Sequence, residues 1–163
     1  MAVSVVTKHV LVLNPAFLQE LKDGNPGLWD TQHQIRQVCD VADRVDPSST
    51  LRELVPLLDN FRDQLATQFS LEESFGFLEV SAKGAPASVD RSLVAKAQSQ
   101  HCPMYLQITD LAEQAEELQY RGVVPQQLDQ LVQSVKSFDA QLREHENFEA
   151  ELIEYSLEQN ERL

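Results

Sequence analysis

Two stretches of the chain carry the same heptad seam, and both seams turn polar at the same depth. The first, within residues 51–79, runs Leu51, Leu54, Leu58, Phe61, Leu65, Gln68, Glu72, Phe75. The second, within residues 128–153, runs Leu128, Leu131, Val135, Phe138, Leu142, His145, Glu149, Leu152. Leu128 lies 77 residues after Leu51, and Glu149 lies 77 residues after Glu72. Steps of three and four residues keep side chains on one stripe of an α-helix. Each helix is therefore expected to bury that stripe, with Gln68, Glu72, His145 and Glu149 at positions where a leucine is the ordinary occupant. Burying a carboxylate without a partner is costly. Two at matching depth in facing helices call for a cation, and a metal ion is the obvious one.

The rest of the chain is legible as two more helices and an N-terminal extension. With only five glycines and 42 % hydrophobic residues among 163, the composition is that of a helical globular protein. A single domain spanning residues 1–163 is expected. Residues 1–27 form a Val-rich arm, weakly extended at Val10–Leu13, and a short helix from Pro15 to Gly24. Residues 28–45 form the first main helix, with Leu28, Trp29, Ile35, Val38, Cys39, Ala42 and Val45 on its apolar face. Thr50 and Glu53 have capping-box spacing for the second helix, which ends near Val80; Pro56 fits at its start or else bends it. The third helix is expected from Ser88 as N-cap to Gly122, on the stripe Val94, Ala97, His101, Met104, Ile108, Leu111, Ala115, Leu118, with a bend at Pro103. The fourth starts at Pro125 and reaches about Gln159. Four amphipathic helices on mostly short loops predict an all-α, antiparallel up-down-up-down four-helix bundle with an N-terminal arm.

Polar residues that interrupt the seams now gather on three helices. They are Gln68 and Glu72, His101, and His145 and Glu149. Side chains at i and i+4 reach a common point, and bundle cores build metal sites from inward carboxylates and imidazoles. Carboxylates can bridge metal ions while imidazoles end the coordination.

In these residues the chain resembles the hemerythrin-like family, also called the HHE cation-binding domain, over roughly residues 28–155. The family's even helices carry His-x-x-x-Glu, which His145 to Glu149 matches and Gln68 to Glu72 matches with Gln for His. Its odd helices carry a His followed by apolar residues at +3, +7 and +10, as in His101, Met104, Ile108 and Leu111. In the first helix Gln32 fits that spacing with Ile35, Cys39 and Ala42, while His33 lies toward the exposed side. The resemblance implies non-haem iron, one ion or two, held by Glu72, His101, His145 and Glu149. Gln68, Gln32 and His33 are weaker candidates. It implies binding or sensing of a diatomic ligand such as oxygen or nitric oxide, or of iron itself, rather than enzymatic turnover. The alternative is a metal-free bundle in which the same residues form a buried hydrogen-bonded network, used as a scaffold or interaction module.

Other functions are set aside by what the sequence carries. The formal net charge of −13 repels phosphates, so neither nucleic acid nor an anionic membrane is an expected partner. No apolar run approaches the roughly 20 residues of a membrane span. No phosphate-binding glycine loop or Ser-His-Asp set is present. The two cysteines, Cys39 and Cys102, make no disulfide framework and read as small buried thiols in a reducing compartment. A start without a basic and apolar leader agrees with a cytoplasmic location. No protein partner is indicated.

Overall fold

The computed structural model describes residues 8–84 and 90–161. The first seven residues of the arm, and Ser88, expected as an N-cap, lie outside the described residues. In chain order the elements are β1 (His9–Leu13), α1 (Pro15–Asp23), α2 (Pro26–Asp40), α3 (Pro47–Leu71), β2 (Phe77–Ser81), α4 (Arg91–Ser99), α5 (His101–Arg121) and α6 (Pro125–Glu161). The protein is mostly helical. Helices α3 and α5 pack together, α2 lies against α3, and α6 lies against α5 and α2, so these four close a ring.

Both seams are buried along their aliphatic length, from Leu51 to Leu65 and from Leu128 to Leu142. Together with Ile35, Ile108, Leu111 and Ala115 they form one continuous core. Leu65 and Leu142 are fully covered members of it. A second, smaller core joins Leu18, Phe77, Val94, Ala97, Leu152 and Ile153. The interrupting polar residues lie between the two. On α6, Leu142 belongs to the first core and Leu152 to the second, with His145 and Glu149 in between. On α4 and α5, Ala97 and Met104 flank His101 in the same way.

Helix ends differ from the sequence expectation in instructive places. Helix α3 starts at Pro47, where the Asp46 side chain accepts a hydrogen bond from the Ser49 amide at 3.2 Å. Thr50 is thus buried inside the helix and not its cap, and Pro56 is accommodated in its interior. Helix α2 stops at Asp40; a single 3-10 turn at Ala42–Arg44 replaces its expected last turn, leaving Val41 and Val45 exposed.

The largest departure is at the far end of α3, expected to run on to Val80. It ends at Leu71 and widens into a π-type turn over Glu72–Gly76, in which the Phe77 amide donates to the Glu72 carbonyl. The chain then enters β2, which pairs antiparallel with β1 from His9↔Ser81 to Leu13↔Phe77. Phe75 is therefore not on the seam: it is 51 % exposed and meets Phe17 edge-on at 5.6 Å. Gly76 lies directly under Leu18, where an added Cβ would fall 2.2 Å from Leu18 Cδ2, so no larger residue fits.

The third helix is likewise two helices, α4 and α5, divided at Gln100. Pro103 supplies the reason, since its ring collides with the carbonyl four residues earlier, that of Ser99. The break makes His101 the first residue of α5.

Of the two cysteines expected to be buried, Cys39 is and Cys102 is exposed, because its neighbour His101 takes the inward position. Burial pushes the Cys39 thiol up to about 11. A thiol reagent at pH 8 is expected to titrate one thiol in the native chain and the second only after denaturation. Equal rates for both thiols would contradict the packing of α2.

Candidate metal centre

Two helices, α5 and α6, and the π-type turn deliver four buried polar side chains to one layer: Glu72, His101, His145 and Glu149. Phe69 stacks on the His101 ring at 4.4 Å and Phe77 meets its edge, which fixes the imidazole plane. His101 Nε2 lies 3.4 Å from Glu72 Oε2 and 3.4 Å from Glu149 Oε2. His145 Nε2 lies 3.0 Å from Glu149 Oε1. Ligand atoms of His101, His145 and Glu149 all fall within 4.8 Å of one another. Both oxygens of Glu72, both ring nitrogens of His101, His145 Nε2 and Glu149 Oε2 are buried without a hydrogen bond among the described residues.

Such a cluster of orphaned buried atoms requires an explanation. Metal bonds of about 2.1 Å at tetrahedral angles separate neighbouring ligand atoms by about 3.4 Å. That spacing is what His101 Nε2 keeps from the two carboxylates. The donor set, two imidazoles and carboxylate oxygens, suits iron or another first-row divalent ion. A further contact orients the second imidazole: His145 Nδ1 lies 2.7 Å from Gln100 Oε1. An amide oxygen can only accept, so Nδ1 carries a proton and Nε2 is the ring atom left to face Glu149.

One cation is already present. Lys22, from the last turn of α1, reaches into the same layer with its side chain only 11 % exposed. Its Nζ donates to Glu149 Oε1 at 2.9 Å and to Glu146, and lies 3.7 Å from Glu72 Oε1. Burial alone would push the Lys22 pKa down, but the charges of Glu146, Glu149 and Glu72 outweigh it and hold the ammonium above its ordinary value. Burial and the nearby Glu149 charge push Glu72 up to about 8, against the opposing pull of Lys22. Burial acts in the same direction on Glu149, but His101, His145 and Lys22 overcome it and hold that carboxyl well below the usual range.

Of the remaining candidates, Gln68 is buried beside Glu72, but its Oε1, the atom able to ligate, accepts from Asn25 Nδ2 at 3.0 Å. Gln32 is outside the cluster. Its Nε2 donates to Asp139 Oδ1 at 2.9 Å, and Arg36 Nε donates to Asp139 Oδ2 at 3.0 Å, which makes a separate buried polar layer. His33 is exposed and lies 3.2 Å from the Gln37 side-chain nitrogen. Three residues that seam periodicity does not reveal complete the centre: Lys22, Glu146 and Gln100. Lys22 belongs to a helix outside the repeat, and Gln100 sits at the junction of α4 and α5.

Two surface openings flank the imidazoles. One, of about 680 Å³, is lined by Gln100, Pro103, Met104, His145 and Phe148. The other, of about 270 Å³, is lined by Phe69, Glu73, His101, Cys102 and Tyr105. In comparisons with protein-family models, curated proteins and solved structures, nothing matches this chain.

Proposed function

We propose that the chain is an antiparallel four-helix bundle of hemerythrin-like character that binds a single non-haem divalent iron ion. His101, His145 and Glu149 hold the ion, and Glu72 completes the set. One observation carries the reading. Ligand atoms of His101, His145 and Glu149 converge within 4.8 Å of one another in a buried layer, and His145 Nε2 faces a Glu149 oxygen at 3.0 Å, so that a proton or a metal ion must stand between them. The charges agree. Glu72, Glu146 and Glu149, with Glu73 3.5 Å from His101 Nδ1, face a single ammonium, and a divalent cation offsets that excess of carboxylates. A ferrous ion held by these residues would supply a binding position for a small ligand such as oxygen or nitric oxide, and the openings lined by His145 and His101 are where such a ligand would approach. The role is binding or sensing rather than turnover. Among the described residues no helix is long and apolar enough to cross a membrane. Free Cys39 and Cys102 fit a reducing compartment such as the cytoplasm.

The Lys22 contacts favour a second reading, in which the ammonium and a proton on an imidazole balance the carboxylates and the bundle is a metal-free scaffold. Anaerobic loading with ferrous ion, followed by desalting, separates the two. Metal binding predicts one iron per chain and a visible absorption change on adding nitric oxide. Chains that remain empty overturn it in favour of the scaffold.

A further inference from the structure

We propose that the Lys22 ammonium stands in for a second metal ion, filling a cation position made by Glu72, Glu146 and Glu149 beside the one at the imidazoles. The inference rests on the preceding reading only for the first ion.

The carboxylates carry it, because each of the two central ones is divided between two places. Glu72 turns Oε2 to His101 Nε2 at 3.4 Å and Oε1 to Lys22 Nζ at 3.7 Å. Glu149 turns Oε2 to His101 Nε2 at 3.4 Å and Oε1 to Lys22 Nζ at 2.9 Å. Bridging carboxylates between two cations show this split. Here one of the cations is a side chain. Glu146, one residue past His145, completes the lysine's oxygen cage from the α6 side. Its Oε1 is buried without a hydrogen bond.

Delivery of the lysine is built into the fold. Leu18, four residues before Lys22, is fully buried and seated on Gly76. The Lys22 carbonyl accepts a hydrogen bond from Trp29 Nε1 at 3.0 Å, which ties the end of α1 to α2. Lys22 is the only lysine or arginine that meets these carboxylates among the described residues. An ammonium has no vacant orbital and cannot coordinate, so it supplies charge where a metal would supply charge and coordination. A position surrounded by carboxylate oxygens alone suits ferrous or manganous ion once the lysine is gone.

The test counts ions. Wild type, Lys22→Met, Lys22→Ala and Lys22→Arg are loaded anaerobically with ferrous ion, desalted and analysed for iron per chain. Lys22→Met and Lys22→Ala are expected to hold one ion more than wild type, whatever the wild-type count. Lys22→Arg keeps the charge and is expected to gain none. Adding Glu146→Gln to Lys22→Met should cancel the gain. A count unchanged by Lys22→Met and Lys22→Ala overturns the proposal. If these variants do not fold without metal, helical circular dichroism is followed as manganous ion is added. Recovery of the helix supports the substitution of lysine for metal, and failure to recover at saturating ion overturns it. The two readings separate cleanly: an empty wild type with one ion in Lys22→Met defeats the single-iron function and keeps this inference, while one ion in each does the reverse.

Discussion

Glu149→Ala is expected to abolish iron binding and to destabilise the fold as well. No other carboxylate touches so much of the centre: Oε1 meets Lys22 and His145, and Oε2 faces His101. Groups that only orient a metal ligand are worth 10–100-fold in affinity, so loss of a shared anionic ligand should weaken binding by more than about 100-fold. The same truncation leaves the ammonium of Lys22 with Glu146 and, at 3.7 Å, Glu72. Breaking a buried ion pair from one side costs roughly 3–5 kcal/mol. Iron titration and urea unfolding of the same preparation read both effects. Glu149→Ala protein that still loads one iron per chain would show that the ion, if bound, sits elsewhere.

Leu142→Ala is the second large effect, and it separates packing from chemistry. Leu142 is fully covered one turn before His145, in the core layer that also holds Leu65. Removing a buried leucine side chain costs about 2–5 kcal/mol through lost transfer energy and the cavity left behind. The urea midpoint should fall accordingly while iron per chain stays at the wild-type value, because no ligand atom is touched. An unchanged midpoint would mean that this seam does not carry the core.

The repeat of Leu51–Glu72 and Leu128–Glu149 was legible because helical periodicity is local: every residue on the stripe is positioned by its own neighbours three and four places away. The buried placement of Glu72, His101, His145 and Glu149 follows from that pattern. What the pattern does not carry are contacts between distant segments. Phe75 breaks the seam because Phe77–Ser81 leaves the helix to pair with His9–Leu13. A strand partner some 60 or more residues away leaves no mark on helical spacing. Lys22 was hidden for the same reason, since it meets Glu149 from a short helix outside the repeat. Gln100 is a subtler case. Pro103 predicts a bend in the third helix, and the structure interrupts the helix for one residue, Gln100, whose backbone stays helical and whose side chain meets His145. Gln32 fitted the seam spacing of a ligand and is indeed buried, yet it serves Asp139, so periodicity reports burial and not which polar partner a buried amide finds.

The central claim is a single metal ion in the layer between the two cores, and locating the ion tests it most directly. Crystals grown and soaked anaerobically with ferrous ion, measured at the iron absorption edge, give its position by anomalous scattering. One strong peak is predicted, within bonding distance of His101 Nε2, His145 Nε2 and a Glu149 oxygen, with Lys22 still beside Glu149 and Glu146. No peak in that layer, or peaks confined to the acidic outer faces of the helices, would contradict the account.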